Sequence, residues 1–216
     1  MKVRLRAIEP SDSAIICVWY NDDEVNYGSN MKVLPVPNTK IRRDIEHGYY
    51  DNDRVQMLMI VSDEKPIGLA SISSIDKINR NAELGIMIGE TDHWNSGYSQ
   101  HVCMLLMILC FEEMRLNKIY GSAYEHNRAS GLMWSLLGAH IEGGMRQCLF
   151  RFGRYWDKTV FSVLASEWFE KRSTWLSLAG FGKDDRSGKL SSRLAPDSSL
   201  HRLQELHSCT FNSWRE

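Results

Sequence analysis

The sequence predicts an α/β (α+β) protein built on one mixed, mostly antiparallel twisted sheet of about seven strands flanked by helices. Three strand-like segments follow one another with short turns between them, at residues 55–62, 67–75 and 82–89. A long apolar helix pattern then covers residues 97–115, and strand, helix and strand patterns follow it. A meander that leads into alternating helices and strands is typical of a sheet whose faces are covered by helices.

Length and composition indicate one globular domain with some residues to spare. The 216 residues are 43% hydrophobic, and 26 Lys and Arg against 27 Asp and Glu give a net charge of −1. This balance gives no electrostatic reason to bind nucleic acid or an anionic membrane. The longest apolar run, residues 102–111, is about half of a membrane span, and the first residues lack the apolar block of a signal peptide.

The cysteines and histidines predict neither disulfides nor a metal site. The five cysteines are odd in number and include no CxxC pair, which favours a reducing, cytoplasmic compartment. The seven histidines form no HxH or HxxxH pair, so metal binding is not expected.

The first 50 residues predict a strand and two helices. Apolar and charged residues alternate over residues 3–7, as in a strand. Pro10, with Ser11 or Asp12 as the cap, opens a helix that runs to Trp19, and Thr39 caps a second helix.

The last part of the domain predicts a strand at Lys118–Tyr124 and a helix over residues 127–137, which Asn127 caps. Gly143-Gly144 and Gly153-Arg154 predict turns between the final strands, which end near residue 164. We therefore place the domain at residues 1–168. The serine-rich residues 169–216 are expected to be a poorly structured or partner-dependent extension, with a short amphipathic helix near residues 200–206.

The turn at residues 92–100 is a candidate phosphate cradle. It joins a strand to the buried helix through small residues, so unpaired N–H groups and the helix dipole would face a ligand there. Gly97 permits a close approach to the backbone. A plain connection between two elements is the alternative interpretation.

Two further patterns point to chemistry. Glu83 lies on the same strand face as Gly85 and Gly89, an open slot beside an acid that suits a general base. Asn127, Ser130 and Trp134 share one helix face. The alternatives are a solvated strand glutamate and a helix with an ordinary asparagine cap.

In their order and spacing these motifs resemble the GNAT superfamily of N-acetyltransferases, in the branch of the ribosomal-protein N-terminal acetyltransferases. The resemblance covers about residues 2–168. The motifs that carry it are Trp94-Asn95-Ser96-Gly97-Tyr98-Ser99, Asn127-Arg128-Ala129-Ser130 with Leu137-Gly138-Ala139, Trp19-Tyr20-Asn21-Asp22, and residues 151–157.

The resemblance implies that acetyl-CoA is the acyl donor and that it binds where two parallel strands splay apart. The backbone of Asn95, Ser96, Gly97, Tyr98 and Ser99 would hold the pyrophosphate, and Met87, Ile88 and Asn127 would flank the pantetheine arm. Glu83 would deprotonate the acceptor ammonium through water, and Ser130 would lie near the leaving thiolate. Trp134 takes the position in the cofactor site where many members have the tyrosine that protonates the thiolate.

The function expected from this is transfer of an acetyl group directly to a primary amine. The acceptor would be a small molecule, such as an amino sugar, polyamine or aminoglycoside, or a protein N-terminus, and the chain would be a monomer or homodimer. A catalytically weak or inactive acyl-CoA-binding module is the alternative, because Trp134 offers no acid and the cradle has no Lys or Arg. Trp19, Tyr49 and Tyr50 either stack on the acceptor or pack in the core.

Overall fold

The fold was analysed in a computed structural model that describes residues 3–28 and 34–179. Eight strands and six α-helices follow one another in these residues. They are β1 (Val3–Ala7), α1 (Ser13–Asn21), α2 (Asp23–Tyr27), α3 (Asn38–Glu46), β2 (Asp51–Asn52), β3 (Val55–Ser62), β4 (Lys65–Asp76), β5 (Asn81–Ile88), α4 (Tyr98–Ile108), β6 (Lys118–Tyr124), α5 (Arg128–Leu136), β7 (His140–Arg151), β8 (Arg154–Leu164) and α6 (Ala165–Leu178).

All strands belong to one sheet in the order β1-β3-β4-β5-β6-β8-β7, and the two-residue β2 pairs with β3. Every pairing is antiparallel except that of β5 with β6. The predicted mixed, mostly antiparallel sheet is confirmed, and so is its parallel pair.

Helices cover the two faces of the sheet unequally. On one face α4 lies against β1, β4 and β5, and its residues 102–107 are all buried. On the other face α1 and α3 pack on Met59, Val61 and Leu69, and Met87 near the end of β5 lies at the edge of this cluster. Glu83 lies on this second face as well, because side chains alternate along β5.

The final hairpin differs from the prediction. Residues 143–144 do not form a turn but lie inside β7, where the register with β8 shifts between Ile141 and Gly143. Such a bulge lets the strand continue past an unpaired residue. The turn itself is formed by Phe152 and Gly153.

The predicted boundary at residue 168 falls inside α6. Trp168 and Trp175 lie two helical turns apart and are buried in the main core, with 0% and 6% of their surface exposed. Residues 169–179 are thus packed on the domain, and the expectation of poor structure is wrong for them. Residues 180–216, including the expected helix near 200–206, lie outside the described residues.

Candidate active site

The parallel strands β5 and β6 separate beyond their first three residues. Their register pairs end at Glu83 and Tyr120, although β5 continues to Ile88 and β6 to Tyr124. The two strands enclose a wedge that opens toward their carboxyl ends. Backbone groups on the inner edges of the wedge lack the neighbouring strand that a continuous sheet would supply, so an extended ligand can bind them.

A tryptophan closes the wedge on the side of α4 and α5. The Trp134 indole is 2% exposed and stacks on Phe161, with ring centroids 6.1 Å apart. It lies so close to Gly121 that an added Cβ there would be 2.3 Å from Trp134 Cζ2 and 3.2 Å from the Leu84 carbonyl oxygen. The indole therefore sits at the base of the wedge, and it has no acidic proton near neutral pH.

The turn between β5 and α4 has the backbone of an anion cradle. Asn95 and Gly97 adopt positive φ values of 57° and 82°, and Gly97 is the N-cap of α4. Within the described part of the chain, the N–H groups of residues 95–100 have no hydrogen-bond acceptor. Unpaired N–H groups at the start of an 11-residue helix attract an anion through their own dipoles and that of the helix.

Side chains around this cradle hold its shape. The Trp94 indole N–H donates to the Ile88 carbonyl at 2.9 Å, so this carbonyl already has a hydrogen-bond partner within the protein. Ser62 Oγ lies 3.3 Å from the Tyr98 hydroxyl, and the His93 ring packs edge-on against the Tyr98 ring. Tyr98 therefore offers its backbone to a ligand and uses its side chain for packing.

Glu83 occupies the vertex of the wedge on the face opposite α4. It lies across from Ser73 on β4 and from Tyr120 on β6, and two residues further Ser71 lies across from Gly85. A Cβ at Gly85 would be 2.5 Å from Ser71 Oγ, so this hydroxyl occupies the space that the glycine leaves. Among the described residues, the Glu83 carboxylate has no hydrogen-bond or ion-pair partner, which leaves it able to take a proton.

Asn127 and Ser130 lie at the start of α5. The Asn127 side chain caps the helix by accepting from the Ser130 backbone N–H at 3.1 Å, and its amide nitrogen donates to the Gly28 carbonyl at 2.6 Å. The amide oxygen and one of the two amide hydrogens are therefore engaged by the protein. Ser130 is half-buried in the first turn, and its hydroxyl has no hydrogen bond to the part of the chain that the structure describes.

A bridge crosses from α2 to the far side of the wedge. Three successive carbonyls at the end of α2, those of Asn26, Tyr27 and Gly28, accept hydrogen bonds from Arg151 Nη1, His126 Nε2 and Asn127 Nδ2 at 3.2, 2.8 and 2.6 Å. A carbonyl can only accept, so His126 carries its proton on Nε2. These bonds satisfy carbonyls that a helix end leaves unpaired.

A cavity of about 480 Å³ lies beside this bridge, between α1, α2 and the turn of the β7–β8 hairpin. Tyr20, Asn26, Asp23, Phe150, Arg151 and Phe152 are among the residues that line it. Its volume is that of a typical small-molecule site. Tyr20, which lines the cavity, belongs to α1, and α1 packs on the same face of the sheet as that on which Glu83 lies.

Two of the three aromatic residues that the sequence left open between substrate and core belong to the core. Trp19 is 1% exposed, packs on Gly89 and donates to Glu90 at 2.9 Å. Tyr50 is buried beside Tyr20, and burial raises the pKa of both phenols. Trp19 and Tyr50 are therefore core residues, whereas Tyr49 is exposed on the surface.

The structure thus brings most of the predicted site residues together around one wedge. Sequence reasoning missed Ser71, Ser73, Tyr120 and Gly121, which reach the site only through the strand register. It also missed the cavity beside α2. In residues 3–28 and 34–179 no helix is long and apolar enough to cross a membrane, and no group of three His, Cys, Asp or Glu is placed to hold a metal ion.

The buried thiols have no role at this wedge. Cys103 and Cys110 lie fully buried in the region of α4, and burial alone raises the pKa of Cys103 to about 12. A thiol with so high a pKa is a poor nucleophile. Cys103 and Cys110 are therefore core residues.

The chain is similar in sequence to proteins that are named N-acetyltransferases. The chain is 27% identical over 173 residues to the uncharacterised N-acetyltransferase p20 of Bacillus licheniformis, a match that covers 77% of this chain and 95% of that protein. It is 24% identical to a Bacillus subtilis protein provisionally named ribosomal N-acetyltransferase YdaF, over 77% and 93% of the two chains.

A solved structure with the same fold is spermidine N-acetyltransferase from Vibrio cholerae, in complex with CoA and spermine. The TM-score is 0.71 at 21% identity, over 78% of this chain and 98% of that one. In addition, residues 2–140 match the family described as the acetyltransferase (GNAT) domain. The chain therefore belongs to the GNAT family of acetyltransferases, whose acyl donor is acetyl-CoA.

Proposed function

We propose that this chain moves an acetyl group from acetyl-CoA directly to a primary amine, with Glu83 as the general base. The observation that carries this proposal is the carboxylate of Glu83, which lies at the vertex of the wedge and has no partner among the described residues. A base must be close to the proton that it removes and must not be committed to another cation. Glu83 meets the second condition among the described residues.

The residues present suit the coenzyme. The unpaired N–H groups of residues 95–100 offer a site for its pyrophosphate, and Met87 and Ile88 at the end of β5 are proposed to flank its pantetheine arm, with the backbone of Ile88 facing the wedge. The Ile88 carbonyl already accepts from the Trp94 indole, so the Ile88 backbone N–H is more available to the pantetheine arm than this carbonyl. The coenzyme supplies the acetyl group as a thioester.

The proton path follows from the side chains at the vertex. Glu83 takes a proton from the acceptor ammonium, and water between Glu83, Ser71 and Ser73 can relay it across this polar surface. The free amine then forms the new C–N bond as the C–S bond breaks, and the proton that the new amide nitrogen loses passes to the leaving thiolate. Ser130, whose hydroxyl faces no described partner, is the side chain proposed to hydrogen-bond that thiolate.

A second candidate, a coenzyme-binding module without turnover, is favoured by one observation. Trp134 stands where many relatives have an acidic tyrosine, and its buried indole cannot supply a proton. The release of free thiol from acetyl-CoA in the presence of amines decides between the two candidates.

Glu83→Gln is the test of the base. It keeps the size of the side chain, so acetyl-CoA binding should stay within about twofold, while turnover falls by about 10²- to 10⁴-fold. Glu125→Gln, a change at an exposed glutamate just beyond β6, is the matched control and should keep full turnover. Wild-type turnover by Glu83→Gln across pH 6 to 9 would remove Glu83 from this role.

The cysteines bear on the compartment in which the protein resides. All four cysteines in the described residues are free thiols. Free thiols fit a reducing compartment, so we propose a cytoplasmic location.

A further inference from the structure

The charged side chains that line the cavity beside α2 are not the excess of carboxylates expected of a site for a polycation. Among the described residues that line the cavity, one is acidic, Asp23, and one is basic, Arg151. Their formal charges sum to zero. Arg154 adds a further positive charge to the same hairpin, where its guanidinium lies 3.4 Å from the centre of the Trp156 ring.

This balance suits a ligand with a single positive charge. Among the described lining residues, a ligand with three or four ammonium groups would meet a single carboxylate, and Arg151 and Arg154 would repel it. An amine with one charge can pair with Asp23, and the rest of the molecule then meets the other walls.

Those other walls are largely aromatic. Tyr20 lies on the helical side of the cavity, and Phe150 and Phe152 lie on the hairpin side. Both phenylalanines are well exposed, at 59% and 57%. Aromatic side chains that remain exposed at the edge of a cavity favour contact with an apolar or aromatic group of a ligand.

The backbone at Phe152 supports a role in binding. Arg151 pairs with Arg154 across the hairpin, so Phe152 and Gly153 form a two-residue turn, and their φ values of 54° and 74° are both positive. A turn of this kind favours Asn followed by Gly, and a bulky residue in the left-handed region is strained. Strain of this kind is characteristic of functional sites.

The Phe152 ring is also held in one orientation. It stacks on Tyr27 with ring centroids 5.0 Å apart, and His126 meets it edge-on at 5.9 Å. A fixed aromatic ring loses little entropy when a ligand binds against it.

We propose that the acceptor is an amine with one positive charge and an apolar or aromatic group, that Asp23 receives the ammonium as it enters, and that Phe152 contacts the apolar group. This inference rests on the proposed acetyl transfer and names the class of acceptor that the same site would take.

The test compares amines that differ in charge and apolar character. Acetyl transfer from acetyl-CoA is measured with 2-phenylethylamine, with butylamine and with spermidine, as kcat/KM from thiol release. We expect 2-phenylethylamine to exceed spermidine by at least tenfold, with butylamine between them. A preference for spermidine would overturn this inference and leave the acetyl transfer intact, whereas no transfer to any amine would overturn the proposed function.

Variants then locate the contact. Phe152→Asn restores the residue that the turn favours, so the melting temperature should stay level or rise, while KM for 2-phenylethylamine rises about tenfold and KM for acetyl-CoA stays unchanged. Phe169→Asn removes a phenylalanine of equal exposure (58%) on α6, outside the cavity, and should leave both KM values unchanged.

Two outcomes would overturn the role of Phe152. An unchanged KM for 2-phenylethylamine in Phe152→Asn would show that the ring does not meet the acceptor. A fall in melting temperature with unchanged KM would show that the ring serves only to stack on Tyr27. Asp23→Asn completes the series, because it should raise KM for 2-phenylethylamine by at least fivefold if this carboxylate receives the ammonium.

Discussion

Substitution of Gly121 by alanine tests the geometry of the wedge most directly. The added Cβ would lie 2.3 Å from Trp134 Cζ2, far inside van der Waals contact. The indole has little room to move away, since it is 2% exposed and stacks nearly parallel on Phe161, with 4° between the ring planes. The backbone cannot yield easily either, because the Leu84 carbonyl oxygen would be 3.2 Å away.

The expected cost is that of overpacking a dense core. Inserting a carbon into such a site costs about 1–3 kcal/mol, and each kcal/mol shifts the melting temperature of a protein of this size by about 2–4 °C. Gly121→Ala should therefore lower the melting temperature by roughly 2–12 °C in thermal unfolding followed by circular dichroism.

A control and a rescue make this prediction specific. Gly131→Ala adds a methyl group within α5, where the nearest atom would be 3.9 Å away, and should be neutral or stabilising. Trp134→Phe removes the ring edge that meets Gly121. The double variant should therefore lose less free energy of unfolding than the sum of the two single losses, by at least about 1 kcal/mol. Wild-type stability of Gly121→Ala, or additive effects in the double variant, would refute the contact.

Two further predictions concern stability elsewhere in the domain. Arg6 donates two hydrogen bonds to Asp12 at 2.7 and 2.8 Å, and Asp12→Asn should cost about 2 kcal/mol at pH 7 in urea unfolding. Burial would raise the pKa of Asp12, but the hydrogen bonds from Arg6 and from the Glu9 N–H outweigh it and hold the pKa below 3.8. The loss should therefore be complete above about pH 4 and fade as the pH falls through the lowered pKa, so that a pH-independent loss would contradict this account. Trp168→Ala should cost about 3–5 kcal/mol, because this residue is fully buried against Phe111, whereas Phe169→Ala should stay within about 0.5 kcal/mol; equal effects would mean that α6 does not pack as described.

The sequence was most informative where one element follows another directly. The alternation of residues 82–89 predicts both β5 and the face on which Glu83 lies, since side chains alternate along any strand. Gly97 at the start of the buried helix predicts the backbone cradle for a similar reason, because a helix start always leaves N–H groups unpaired. Such local rules hold whatever the rest of the chain does.

Features that depend on register were out of reach. Ser71 meets Gly85, and Trp134 meets Gly121, only because particular strands and helices are neighbours in a particular alignment. A shift of one residue would move each side chain to the other face. No periodicity in the sequence specifies that alignment.

The end of the domain was misjudged for a different reason. The serine-rich composition after residue 169 masked the seven-residue spacing of Trp168 and Trp175, which places both side chains on one face of a helix. Two buried tryptophans outweigh several serines on the opposite face, since each large aromatic residue buries roughly 150–250 Å². The spacing of the aromatic residues was therefore the better guide than the average composition.

The bridge at the end of α2 shows how distant parts of the chain complete the site. Beyond Glu83 no strand hydrogen bonds join β5 to β6, so the two sides of the wedge need other connections on this face. Hydrogen bonds from His126, Asn127 and Arg151 to three consecutive carbonyls supply them. Because the Asn127 amide nitrogen carries two hydrogens, one can donate to a ligand in the wedge while the other holds the Gly28 carbonyl. Contact between Asn127 and the pantetheine arm, as the family resemblance implies, would then connect the arm to α2, beside the cavity in which the acceptor is proposed to bind.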